Sequence, residues 1–232
     1  MSTTPRELGT VYVTGGSRGL GAAVVDAVGA AGGRAVVLDR VPPDTDVPYA
    51  EVDLSDWEAA TRAVDRMVEE VGPPEAVVTA AGIDACGPLA EIEPVDWQRV
   101  IQVNLFGTVA VIRACLPHLE RSRGTVVTVS STLGLRGADA ATAYSASKFA
   151  IRGFSQALAV EYAGRVGVTC LLPGGMRTGF FDGRDERFKP APDQDLNDPA
   201  STAGAVVTAL TQPVGSEIRE MLVMASGEPS WP

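Results

Sequence analysis

Short apolar runs alternate with longer stretches of helical period along most of this chain. "TVYVT" (10–14), "RAVVLD" (34–39), "EAVVTAA" (75–81), "GTVVTVSS" (124–131) and "RVGVTCLLP" (165–173) are rich in Val and Thr. They do not alternate apolar with polar side chains, which is the pattern of strands covered on both faces. "YAEVD" (49–53) reads as a weaker strand and "IREMLVMA" (218–225) as a last one. Between them the spacing predicts helices. Ser55 heads "SDWEAATRAVDRMVEEVG" with Glu58 three residues on, a capping box, and Gly72 stops it. Further helices are expected over 94–121, about 143–163, and Pro199 to Leu210. Such alternation implies an α/β fold with a doubly wound parallel sheet and right-handed crossovers. A chain of 232 residues suits one such domain. The stretch 177–199, "RTGFFDGRDERFKPAPDQDLNDP", has neither pattern. It follows a strand's carboxyl end, where ligands collect in such folds, and is expected to be a substrate lid.

Composition removes several function classes. The formal net charge is −10, so a nucleic-acid partner, which needs clustered Lys and Arg, is not expected. Cys86, Cys115 and Cys170 are 29 and 55 residues apart and read as buried thiols. With one histidine, His118, no metal site is expected; it sits near a helix end, where it can meet carbonyls or solvent. The N-terminus runs almost directly into a strand with no signal-like segment, and no long uninterrupted apolar run occurs, so a cytoplasmic protein without a membrane anchor is expected.

Residues 14–21, "TGGSRGLG", follow the first strand and open a helix. Gly15, Gly19 and Gly21 allow a tight turn and close approach to a pyrophosphate, whose charge is favoured at a helix N-terminus. Asp39 ends the second strand about 20 residues later, where an acid can accept hydrogen bonds from a ribose. Position after a strand and before a helix makes the signal much stronger than three glycines alone.

With these residues in hand, the chain resembles the short-chain dehydrogenase/reductase family nearly end to end. The spacing TGxxxGxG at 14–21 is similar to the family's cofactor motif, in which Ser17, Arg18 and Leu20 also line the nucleotide. Asp53 and Leu54 in "VDLS" match the adenine contact, and Ala81 and Gly82 in "AAG" the segment after the fourth strand. Asn104, Ser131, Tyr144 and Lys148 match the catalytic set. "PGGMRT" (173–178) matches the nicotinamide-side motif, with Pro173 and Gly174 positioning the ring and Thr178 meeting its carboxamide. The chain departs from the family at Thr79, where Asn is frequent, and in its ending, "LVMASGEPSWP".

The resemblance implies a Rossmann-type oxidoreductase that interconverts a ketone and a secondary alcohol on a small or medium substrate with NAD(H) or NADP(H). Tyr144 would supply or remove the proton. An unperturbed phenol, with a pKa of about 10, suits neutral pH poorly. Lys148 lies four residues along the same helical face, so its charge is expected to lower that value. Ser131 would hold the substrate oxygen, and Asn104 a water linked to Lys148. Leu133, Gly175, Met176, Phe180 and Phe181 are candidate substrate contacts, and Ile83, Asp84 and Leu135 are further candidate pocket residues. The two phenylalanines read equally as a substrate wall or as anchors of the lid. Asp39 favours NAD slightly; Arg18 and Arg40 are placed where a 2′-phosphate would favour NADP. A homo-oligomer, dimer or tetramer, is implied, with 94–121 and 143–163 at its interface. A non-catalytic dinucleotide sensor, or an epimerase or dehydratase on the same fold, are the alternatives.

Overall fold

The computed structural model describes residues 4–228. Seven strands form one all-parallel sheet: β1 (Thr10–Thr14), β2 (Arg34–Asp39), β3 (Tyr49–Glu51), β4 (Ala76–Thr79), β5 (Thr125–Val129), β6 (Gly167–Pro173) and β7 (Glu220–Val223). Their order is β3-β2-β1-β4-β5-β6-β7, so the winding reverses between β1 and β4. Every strand anticipated from the apolar runs is present, generally trimmed at one or both ends.

The helices are α1 (Gly19–Ala30), α2 (Trp57–Glu70), α3 (Pro94–Ile101), α4 (Thr108–Ser122), α5 (Thr142–Glu161) and α6 (Pro199–Leu210). The two-residue period of the strands divides the core between them. Tyr12, Val36, Val77, Val126 and Val168 face α2, α4 and α5. Val11, Val37, Val78, Val127 and Leu171 face α1 and α6. Both layers are nearly dry, with β1, β4 and β5 centres fully buried.

One local reading needs correction and two gain detail. The cap of α2 is Asp56, whose Oδ1 accepts from Ala59 N–H at 2.9 Å. Ser55 instead donates its hydroxyl to Asp53 Oδ1 at 2.8 Å. Asp and Ser cap about equally well, and here the serine is taken by the turn that Asp53 builds. The helix over 94–121 is continuous but not uniform, because Gln102–Gly107 is a six-residue π-helical insertion. Finally, 177–199 is not structureless. It contains the single turns Gly179–Phe181 and Glu186–Phe188, and its neck is closed by a Met176–Asn197 bridge.

The tail after β7 folds back over the carboxyl end of β6. Glu228 is buried, and its Oε2 accepts from Gly175 N–H at 3.0 Å. A Cβ on Gly174 would lie 2.8 Å from Met224 Cβ, so glycine there permits the fold-back. The last residues of the ending singled out from the sequence, 229–232, lie outside the described residues.

Thr14, Thr79 and Thr128 align in register across β1, β4 and β5 at the end of the sheet that carries the site. Thr14 Oγ1 accepts from Ala81 N–H, and Thr128 pairs with Ser155 at 2.6 Å. Thr79 Oγ1, between them, is buried and has no partner among the described residues. Removing an unpaired buried hydroxyl while keeping the shape should relieve its desolvation cost. Thr79→Val is therefore expected to be neutral or stabilising by up to about 1 kcal/mol in urea unfolding. A clear loss of stability would show that this hydroxyl does hold a partner.

Candidate active site

The winding reversal opens a crevice beyond the carboxyl ends of β1 and β4, and the glycine loop lines one wall. Gly15 has φ +68°, and a Cβ there would come within 2.7 Å of Ala81 Cα. A Cβ on Gly21 would fall 2.0 Å from Gly15 O, so the loop can close on itself only with glycine. Arg18 precedes α1 in extended conformation with no side-chain cap, so its first N–H groups face the crevice without a side-chain acceptor. That cradle suits a pyrophosphate. An ideal Cβ at Gly19 would sit 3.5 Å from Thr178 Cβ, so the glycine loop and the 173–178 motif face each other across the crevice. The donor set and the space left by these glycines fit a dinucleotide.

Asp39 is fixed at the end of β2. Its Oδ2 accepts from Ser17 N–H at 3.1 Å and its Oδ1 from Arg40 N–H at 2.6 Å. Ser17 donates its hydroxyl to Val41 O. Two backbone donors leave the carboxylate with further acceptor capacity toward a ribose. Arg40 does not turn its guanidinium to Asp39. It lies 3.9 Å from Asp53, which Arg99 approaches at 3.1 Å. Burial acts to raise the Asp53 carboxyl, but hydrogen bonds from Ser55 and the charges of Arg99 and Arg40 prevail and hold it below its ordinary value. Leu54 is buried, and Gly107 packs so closely on it that a Cβ would meet Leu54 O at 2.6 Å.

The π-helical insertion turns Asn104 inward, where it is buried. Its Oδ1 accepts from Ile83 N–H at 2.8 Å, and its Nδ2 donates to Ile83 O at 2.9 Å and Ser147 Oγ at 3.0 Å. The carboxamide is thus committed to fixing the chain just after "AAG". Its Oδ1 also lies on the Lys148 side, since an ideal Cβ on Gly82 would be 3.6 Å from it. Gly82 completes the packing, since a Cβ there would lie 3.5 Å from Lys148 Nζ.

Ser131, Tyr144 and Lys148 do come together. Ser131 ends the β5 segment in extended conformation, and its Oγ accepts from Leu133 N–H at 3.1 Å. A Cβ at Gly134 would hit Lys148 O at 2.8 Å, so glycine lets this turn dock on α5. The Ser131 side chain is close enough to Tyr144, in the first turn of α5, to act on the phenol. Lys148 is buried, donates to Val129 O at 2.9 Å, and has its Nζ 5.4 Å from the Tyr144 ring centre.

The electrostatics differ from the sequence expectation. Burial raises the Tyr144 phenol well above its ordinary range, and the Asp84 carboxylate adds to this; the Ser131 hydrogen bond and Arg184 pull the other way. Burial brings the Lys148 ammonium down to about 8, with Asp84 opposing. The reason is that the lysine is itself desolvated and aimed at a carbonyl, so its charge does not dominate the phenol.

Phe180 lies against Tyr144, ring centres 5.5 Å apart, and Phe181 packs edge-on to Phe180 at 5.6 Å. Neither is among the residues that pack on the two core layers, and it is Phe180 that touches Tyr144. Met176 is the reverse case, packing onto the β1–α1–α6 layer. Leu133 and Leu135 are partly buried beside the Ser131 turn. Pro173 ends β6, and Gly174 N–H donates to Val223 O. Cys115 and Cys170 are buried as expected, but Cys86 is only partly so and donates its thiol to Asp84. His118 pairs with Arg121 on α4, away from this cluster. Arg184, Ser147 and Glu228 were not anticipated. Arg184 and Glu228 reach the site from parts of the chain where spacing carries no signal, whereas Ser147 sits one turn after Tyr144 on α5 and was open to the same helical argument as Lys148.

A parallel sheet with its crevice at the winding reversal, a glycine cradle, and a Ser-Tyr-Lys cluster across from it define a dinucleotide-dependent oxidoreductase. The family model described as short chain dehydrogenase matches residues 9–187. The chain is 34% identical over 181 residues to a 3-alpha-(or 20-beta)-hydroxysteroid dehydrogenase of Mycobacterium tuberculosis, spanning 73% of this chain and 70% of that one. It is 30% identical over 227 residues to an acetoacetyl-CoA reductase of Synechocystis, spanning 94% of each. Among solved structures, an alcohol dehydrogenase of the archaeon Thermococcus sibiricus, complexed with 5-hydroxy-NADP, shares the fold with a TM-score of 0.85 at 23% identity, covering 96% of this chain and 98% of that one. The chain belongs to the short-chain dehydrogenase/reductase family and is an NAD(P)-dependent oxidoreductase.

The buried lysine makes a stability prediction. Its folded pKa, about 8, lies below its ordinary 10.5, so the unfolded chain binds more protons between those values and stability rises with pH through that window. Below pH 8 the burial cost is constant. Relative to Lys148→Met, the wild-type chain is expected to gain roughly 1–3 kcal/mol between pH 8 and 10.5 in denaturant unfolding. Parallel curves would mean that the ammonium is not desolvated.

Proposed function

We propose that the protein reduces a ketone to a secondary alcohol, and runs the reverse reaction, with Tyr144 as the acid and base. The observation that carries this reading is the meeting of Ser131 and Tyr144 with buried Lys148, whose Nζ lies 5.4 Å from the phenol ring centre, at the carboxyl end of β5 and across the crevice from the glycine loop. A bound nicotinamide dinucleotide supplies or accepts the hydride. Gly15, Ser17, Gly19 and Gly21 hold its phosphates, Asp39 its ribose, Asp53 and Leu54 its adenine side, and Gly174 and Thr178 its nicotinamide side.

The chain's own groups handle the proton. Burial and Asp84 keep Tyr144 in its phenol form, ready to donate to a carbonyl oxygen. Ser131 donates a hydrogen bond to the same oxygen and so holds it at the phenol. Lys148, held on Val129 O, keeps a positive charge under the tyrosine while its low pKa lets it pass a proton near neutrality. Asn104 positions the 82–84 backbone that walls the cluster. The 177–199 segment is the lid, with Phe180 and Phe181 closing the apolar wall over substrate.

NAD(H) is the favoured nucleotide. Asp39 is locked where a 2′-phosphate would meet its charge, while Arg40 leans on Asp53 rather than neutralising it. The family resemblance supports a homo-oligomer, and Val95, Phe106, Phe149 and Val160 on α3–α5 are exposed apolar residues available to it.

Tyr144→Phe is expected to lower turnover at least about 100-fold while leaving nucleotide affinity unchanged. Ketone-dependent oxidation of the reduced nucleotide, read beside a fluorescence titration, tests this, and substantial remaining turnover would sink the assigned acid. It also separates the reading from a non-catalytic sensor and from an epimerase, neither of which gives net turnover. Asp39→Ala should move the NADH:NADPH affinity ratio towards NADPH by about 10-fold or more. No change in the ratio would mean that Asp39 does not face the ribose.

A further inference from the structure

Beside Tyr144 the chain leaves one strong acceptor unused. Asp84 Oδ2 accepts from Arg184 Nη2 at 2.9 Å and from the Cys86 thiol at 3.0 Å. Asp84 Oδ1 is buried and has no partner among the described residues. The Asp84 side chain is 8% exposed and that of Arg184 15%, so water is largely kept from the pair. A buried carboxylate oxygen without a donor forfeits hydration that no protein contact returns.

The pair is built into the site. Asp84 directly follows Ile83, whose N–H and C=O are both clamped by Asn104. Arg184 arrives from the 177–199 segment, with its guanidinium 4.8 Å and 4.7 Å from the ring centres of Phe180 and Phe181. Phe180 in turn lies on Tyr144. Tyr144, Phe180, Arg184 and Asp84 therefore form one continuous cluster, and the Asp84 charge reaches both Tyr144 and Lys148.

Resting on the oxidoreductase reading, we propose that Asp84 is a specificity-determining residue whose Oδ1 accepts a hydrogen bond from a second hydroxyl group of the substrate, close to the carbonyl that reacts at Tyr144. The substrate class is a hydroxylated ketone or its diol. A plain hydrocarbon neighbour leaves Oδ1 unpaired. An ammonium neighbour places a second cation beside Arg184, whose charge already matches the carboxylate. A neutral O–H satisfies the oxygen and adds no charge. Because Arg184 reaches Asp84 from the lid segment, closing the pair also encloses the hydroxylated end of the substrate.

The test uses the full chain with NADH and with NADPH on butyl methyl ketone and its counterparts bearing one hydroxyl on the first, second or third carbon from the carbonyl. An amino ketone of the best spacing is added. At least one hydroxy ketone is expected to exceed the plain ketone by about 10- to 100-fold in kcat/KM, and to exceed the amino ketone. Asp84→Ala should bring that ratio close to one. The paired variant Asp84→Leu/Arg184→Met, which removes both charges and keeps apolar bulk, should do the same if the single variant folds poorly. A purely structural role would lower both rates together and preserve the ratio. Equal rates across the ketones, preference for the amino ketone, or a ratio unchanged in the variants would overturn the Asp84 assignment and leave the oxidoreductase reading standing. Intact nucleotide binding without turnover of any ketone would overturn both.

Discussion

The close approach of Gly15 to Ala81 is the contact on which the rest of the site depends. At the reversal of winding, the loops leaving β1 and β4 must diverge to opposite faces of the sheet, yet both start from adjacent strands. Only a residue without a Cβ, in the left-handed region, lets the first loop pass the second at this distance. Once it has passed, α1 can begin with its N–H groups towards the crevice, and Ala81 can donate to Thr14. The glycine cradle and the 80–84 wall of the Ser-Tyr-Lys cluster are thus two sides of one backbone contact.

Across the crevice the constraint is electrostatic. A buried ammonium is costly, and Lys148 is buried all the same, with a backbone carbonyl as its hydrogen-bond acceptor. The pKa near 8 expresses the strain of that compromise. The same desolvation acts on Tyr144, in the opposite direction with respect to charge: both groups are pushed towards their neutral forms. The π-helical insertion serves this arrangement by placing the Asn104 amide where it can pin Ile83 and Ser147, so the groups around the phenol are held by hydrogen bonds rather than by apolar packing alone.

The 177–199 segment adds a third element. It is tethered at its neck by the Met176–Asn197 bridge and at its far side by the Arg184–Asp84 pair. Between these two points Phe180 and Phe181 present an apolar roof to Tyr144, with the Arg184 guanidinium against both rings. The tail residue Glu228 supports the same region from the other side through Gly175.

Strands, helices and the cofactor end were legible from the chain because they rest on local rules. Runs of Val and Thr announce buried strands, and "TGGSRGLG" states its own turn geometry. Tyr144 and Lys148 share a helical face by spacing alone, so their proximity was also readable. The consequence of that proximity was not, because a pKa depends on burial, and burial is a property of everything packed around α5. The same holds for the Asp84–Arg184 pair, whose members are 100 residues apart with no periodic relation. It holds too for the cap of α2, where Asp56 and Ser55 are equal candidates until Asp53 takes the serine. Local sequence specifies backbone shape because steric and hydrogen-bonding preferences act over a few residues. Charge, protonation and the docking of the 177–199 segment on Asp84 follow from distances between segments remote in the chain, and those exist only once the sheet has brought its carboxyl ends together.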